Sequence, residues 1–136
     1  MKLMALLLST AALAVLGTGC TTHGAYEPLD TTKHSVEDKA KFVLLDEEMQ
    51  HAVTCTGLLE GRTPDGRLKI AANLRNRQGA RLEVQADCVF KDAQGFGLDE
   101  QLYRTVILDE NATETLTFEA INTNAVKYTV RVRKAR

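Results

Sequence analysis

The sequence predicts an all-β protein: an immunoglobulin-like β-sandwich of about seven strands, preceded by a signal peptide and a flexible tether. Three observations support this. From residue 40 onward, apolar residues recur at every second position over several separate runs. Turn-forming residues separate those runs at intervals of about 8–12 residues, the spacing of a sandwich. The chain has 136 residues, 44% apolar and 5% aromatic, with two Pro and nine Gly, which suits one ordinary domain and not a fibrous or disordered chain.

The first element is residues 1–19. Lys2 is a short positive start, and Met4–Leu8 and Ala11–Leu16 form an apolar stretch. That stretch is too short and too interrupted for a spanning helix and reads as an export signal. Gly17-Thr18-Gly19-Cys20 follows. The placement of Cys20 after small residues resembles the lipobox of bacterial lipoproteins, in which the cysteine thiol receives a diacylglycerol. That resemblance implies lipidation at Cys20. Each buried acyl CH₂ would add about 0.8 kcal/mol of anchoring. Thr21, standing where an Asp would resemble an inner-membrane retention signal, favours the outer membrane, with the protein on its periplasmic face.

Residues 20–39 are expected to form the lipidated cysteine and a flexible linker. They are polar, lack periodicity and include Gly24 and Pro28. As a coil the segment would reach roughly 25 Å from the anchor. Residues 40–136 are the expected β-sandwich domain. Leu68, Ile70, Ala72 and Leu74 alternate with polar or small residues. Leu82, Val84, Ala86, Cys88 and Phe90 do the same, as do Leu116, Phe118 and Ala120, and then Val126, Tyr128, Val130 and Val132. Each run gives one buried and one wet face. Weaker runs at Phe42–Leu45, Val53–Leu59 and Tyr103–Leu108 complete the set. Thr63-Pro64-Asp65-Gly66, Asn76–Gly79, Asp92–Gly95 and Asp109–Asn111 are the turns. A barrel is the alternative closure, and Val36–Gln50 also fits helical spacing.

The run from Leu68 to Arg133 resembles the YcfL-like family of periplasmic lipoproteins. The matching pieces are Leu74-Arg75-Asn76-Arg77, Leu82-x-Val84 and Phe90–Gly95. Ile107-Leu108, Glu114–Phe118, Asn122–Ala125 and a Tyr-containing last strand also fit. The resemblance implies a lipid-anchored outer-membrane sandwich and supplies no catalytic residues. Family members often carry aromatic residues where this chain has Ala86–Phe90.

Little in the chain carries chemistry. Cys55 and Cys88 remain after Cys20 and form a candidate disulfide in an oxidising compartment. The bridge would stabilise by roughly 3–4 kcal/mol; two unpaired buried thiols are the other reading. His23, His34 and His51 are scattered without metal-ligand spacing, so no metal site or cofactor is expected. Ser35 is the one serine after Cys20 and lies outside any nucleophile elbow. The acidic run Asp46-Glu47-Glu48 reads as a solvated turn. No catalytic set emerges, and the expectation is that the protein is not an enzyme.

Charge argues against a dedicated nucleic-acid binder: 17 Lys+Arg face 18 Asp+Glu. A local basic strip nevertheless lies on the outward side of the last strand, at Lys127, Arg131 and Arg133. It is either edge protection or a face for an anionic partner. Arg67, Lys69 and Arg75 line another strand. The expected function is a non-enzymatic interaction module of the cell envelope, tied to the membrane by its lipid and meeting an envelope protein. The alternative is a small-ligand or glycan-binding module, for which Tyr26, Phe96 and Tyr103 are the aromatic candidates.

Overall fold

The computed structural model describes Val36, Lys39 and residues 40–136. The expected signal peptide and lipidation site Cys20, nearly all of the expected tether, and His23, Tyr26, His34 and Ser35 lie outside the described residues. The elements bounded within the described residues are eight strands and a short helix: β1 Phe42–Leu44, α1 Met49–Ala52, β2 Val53–Arg62, β3 Leu68–Asn76, β4 Leu82–Lys91, β5 Gly97–Glu100, β6 Arg104–Leu108, β7 Thr113–Glu119 and β8 Lys127–Lys134. The strand not anticipated is β5. Its four residues, Gly-Leu-Asp-Glu, carry no alternation to read. The helical spacing of Val36–Gln50 is met at its start, where Val36 and Lys39 are helical and the Ala40 amide donates to the Val36 carbonyl (2.8 Å); it yields to strand β1 at its centre and returns in the one turn of α1 at Met49.

The strands form a sandwich of two sheets, one ordered β2-β3-β7 and the other β1-β8-β4-β5, with β6 also pairing β4. β5 and β6 share one edge of β4: β5 meets its end at Val89–Lys91 and β6 its start at Leu82–Ala86. β1 runs parallel to β8, with Phe42 beside Val130. β8 is therefore an interior strand between β1 and β4, not the edge that its lysines and arginines suggested.

The alternating residues meet between the sheets. Ile70, Leu74, Val84, Phe90, Leu108, Val130 and Val132 are fully buried, and Phe118 nearly so. Burying each such side chain contributes about 1.5–3 kcal/mol. In antiparallel pairs, residues directly opposite share a face, so Ile70 beside Phe118 and Cys88 beside Val130 place all four side chains inward.

Strand β2 departs from simple alternation. A bulge between Cys55 and Gly57 leaves Thr56 as the extra residue, so two positions on β2 oppose one on β3. Beyond it the parity changes: Leu58 lies beside buried Ala72 and is half-buried, whereas Leu59 is 71% exposed. Uninterrupted alternation over the Val53–Leu59 run would set Val53, Cys55, Gly57 and Leu59 on one inward face; the bulge breaks that parity and turns Leu59 outward.

The sandwich has two distinct ends. The chain enters β1 at the end holding the start of β8, the β2–β3 turn, the β4–β5 hairpin and the 120–126 connection. Hydrogen bonds from the Val126 amide to the Lys91 carbonyl (3.0 Å) and from the Ala120 amide to the Leu68 carbonyl (2.8 Å) tie that end together. The opposite end holds α1, the close of β3 and the 109–112 turn. There Asn76 is fully buried. Its Nδ2 donates to the carbonyls of Ala80 (2.8 Å), Leu108 (3.2 Å) and Asp109 (3.0 Å), and its Oδ1 accepts from the Gln78 amide (2.9 Å).

Candidate functional site

The predicted basic strip is largely consumed by the fold. Arg131 extends over the outer face of the five-stranded sheet toward Asp87 of β4, its register partner. Its Nε donates to Asp87 Oδ1 (2.9 Å) and its Nη2 reaches both Asp87 and Glu100. The Asp87 side chain is fully buried and that of Arg131 is 14% exposed. Burial pushes the Asp87 carboxyl above its ordinary value, against the opposing pull of Arg131. Arg133 donates to Gln85 Oε1 (3.0 Å) and stacks on Tyr103, its guanidinium 3.7 Å from the ring centroid. Arg131 approaches the same ring at 5.5 Å. Two of the three residues of the expected binding face are thus structural, and charge reversal at Arg131 would set a carboxylate against buried Asp87.

Lys127 stands apart from them, in a cleft of about 340 Å³ lined by Lys39, Lys41, Lys91, Val126, Lys127 and Tyr128. The parallel pairing of β1 with β8 brings Lys39 and Lys41 there, a contact invisible to strand alternation. Lys91 is buried and donates to Thr129 Oγ1 (3.1 Å), which itself donates to the Ala40 carbonyl (2.9 Å). Lys41 is paired with Glu60, which also accepts from the Tyr128 hydroxyl (3.1 Å).

A second concave region lies on the outer face of the three-stranded sheet, at the end away from the chain entry. It is a shallow groove of about 300 Å³ lined by Thr54, Thr56, Arg75, Arg77 and Asn111. Thr54 lies directly opposite Arg75, and Thr113 opposes Arg75 from the other side. The bulge presents Thr56. Arg77 follows β3 and is held by its amide donating to the Ala52 carbonyl (2.8 Å). Asn111 adopts a left-handed backbone (φ 52°), a conformation that Asn tolerates better than most residues. Arg75 and Arg77 are both exposed. Every ion pair recorded among the described residues uses other basic groups. Among the described residues the groove therefore offers two guanidinium groups, two hydroxyls and an amide, and no lining carboxylate.

The remaining expected residues are not brought together. Cys55 and Cys88 are free thiols in opposite sheets, so the expected bridge is absent from the structure. Cys88 is sealed in the core, where burial pushes its thiol up to about 12. Cys55 sits at the bulge, half-buried, and its thiol donates to the Gly57 carbonyl (3.4 Å). Phe96 is 72% exposed at the tip of the β4–β5 hairpin, while Tyr103 is held on the arginines beyond β5, so they form no common aromatic platform. Among the described residues no group of three or more His, Cys, Asp or Glu side chains is gathered to hold a metal. Among them, no helix is long and apolar enough to cross a membrane.

A two-sheet β-sandwich with shallow polar surface sites is the class these features define. Two solved structures share the architecture. One is Cj0090 of Campylobacter jejuni, with a TM-score of 0.58 and 14% identity over 70% of this chain and 98% of that one. The other is a DUF1425 family member from Shewanella sp. PV-4, with a TM-score of 0.57 and 17% identity over 68% of this chain and 87% of that one. At these identities the likeness is one of fold. No protein-family model matches the chain, and no curated protein matches it.

Proposed function

We propose that this chain is a non-enzymatic, lipid-anchored interaction module on the periplasmic face of the outer membrane, of the YcfL-like kind. Anchoring at Cys20 is supported by the export signal and the small residues before that cysteine. The observation that carries the interaction role is the Arg75–Arg77 groove. It is open and polar, and it lies at the end of the sandwich opposite the tether's entry, where an envelope protein can reach it. A photo-crosslinking residue in place of Thr56, activated in intact envelopes, should give a discrete adduct with another envelope protein. Failure to form any adduct would contradict the reading. Labelled palmitate should enter the wild-type chain and not Cys20→Ala.

Val126 and Tyr128 among four lysines favour one second reading, a small-ligand or glycan site at the other end. Thermal protection by such a ligand, lost in Lys127→Glu, would support it.

A further inference from the structure

We propose that the groove over the outer face of β2 and the close of β3 binds an extended acidic segment of a partner protein, an inference that rests on the interaction-module reading. The argument begins with charge. Arg67, Lys69, Arg81, Arg131, Lys134 and Arg136 each have a carboxylate within 4.0 Å. Arg75 and Arg77 have none recorded among the described residues, although both line the same groove. In the adjoining turn Asp109 faces Arg81 (3.8 Å) and Glu110 lies beside Gly79. Two neighbouring guanidinium groups with no ion-pair partner among the described residues favour an anion brought from outside.

The spacing selects the form of that anion. Residues two apart on an extended chain are about 6.6 Å apart and project to the same side. Arg75 and Arg77, two residues apart at the close of β3, both line the groove; on the adjacent strand Thr54 faces Arg75, and bulged Thr56 lies further along, toward Asn73. Alternate carboxylates of an extended acidic chain repeat at the same interval, so each can meet one planar guanidinium with two hydrogen bonds. The hydroxyls of Thr54 and Thr56 and the Asn111 amide supply further donors. β2 is an edge strand of its sheet, so a partner has an open approach. The shallow groove holds side chains and does not enclose a whole ligand, which suits a peptide better than a free small molecule.

The test uses the full lipidated chain in non-ionic detergent and a fluorescein-labelled, capped Asp-Glu-Asp-Glu peptide, read by anisotropy. Its controls are the neutral Asn-Gln-Asn-Gln peptide and inorganic phosphate as competitor. The acidic peptide should bind and the neutral one should not. Arg75→Gln and Arg77→Gln should each weaken binding about five-fold, and the double variant more than either. Binding should weaken on raising salt. Arg81→Gln, outside the groove, should bind as wild type, and unchanged melting temperatures would show that the variants are folded. Equal binding of the neutral peptide, or undiminished binding by the folded double variant, would overturn the proposal. So would phosphate competing as strongly as the peptide, since that describes a simple anion site. Loss of peptide binding with an intact Thr56 crosslink sinks this inference alone. Peptide binding without any crosslink sinks the interaction-module reading instead.

Discussion

Replacing Asp87 by Ala tests whether the outer face of the five-stranded sheet is held by a buried ion pair. Asp87 is fully buried, and Arg131 bonds it through two nitrogens. Removing one partner of a buried pair costs about 3–5 kcal/mol, because the other charge is left desolvated. The lower end applies here, since Arg131 retains Glu100 and a small solvent exposure. A loss of about 3 kcal/mol in a domain of this size lowers the melting temperature by about 12–24 °C. Urea unfolding followed by far-ultraviolet circular dichroism measures the loss directly. Because the orphaned guanidinium causes the damage, Asp87→Ala combined with Arg131→Met should be more stable than Asp87→Ala alone. A single-variant loss below about 1 kcal/mol, or strictly additive losses in the double variant, would refute the reasoning.

Other expectations follow from the same structure. The folded Asp87 carboxyl titrates above its ordinary value of 3.8, so the folded state binds more protons than the unfolded state between 3.8 and that raised value. This contribution to stability therefore grows as pH falls through that window, and urea midpoints should show wild type gaining on Asp87→Asn as pH is lowered from neutral toward 3.8. Asn76→Ala removes the donor serving three backbone carbonyls and should cost about 2–4 kcal/mol by chemical denaturation. Non-reducing mass spectrometry of the native protein should find Cys55 and Cys88 both reduced, with Cys88 resistant to alkylation until unfolding, since its thiol sits near 12 in the core. Phe118→Ala should cost about 3–5 kcal/mol in urea, its ring being nearly completely buried between the sheets.

Most of the sandwich is legible in period-two patterning, because β3, β4, β7 and β8 each turn one apolar face to the core, although on β4 and β8 the outer face is also covered at Asp87, Lys91 and Thr129. Ile70, Leu74, Val84, Phe90, Phe118, Val130 and Val132 occupy the core positions that the alternation assigns them. β5 escaped notice because four residues with Gly at their head have no period. The bulge was also hidden, although Gly57 inside a strand run is the one local sign of it. The candidate site was harder to read for a physical reason: alternation reports which side of a sheet a residue faces, not what lies across from it. Arg131 and Arg133 do face outward, yet Asp87, Glu100, Gln85 and Tyr103 meet them there through pairings set by topology. Arg75 was recognisable as an outward basic residue. Its partners in the groove come from a bulge, a strand end and a turn, and none of these carries a periodic signal.

The central claim is that this sandwich recognises a partner through Arg75 and Arg77, not through its last strand. The most direct measurement is the yield of the Thr56 photo-crosslink in intact envelopes, compared among wild type, Arg75→Glu/Arg77→Glu and Lys127→Glu at matched abundance. The adduct should vanish in the Arg75→Glu/Arg77→Glu chain and persist in Lys127→Glu. An adduct that survives charge reversal of both groove arginines, or that Lys127→Glu removes just as completely, would contradict the account.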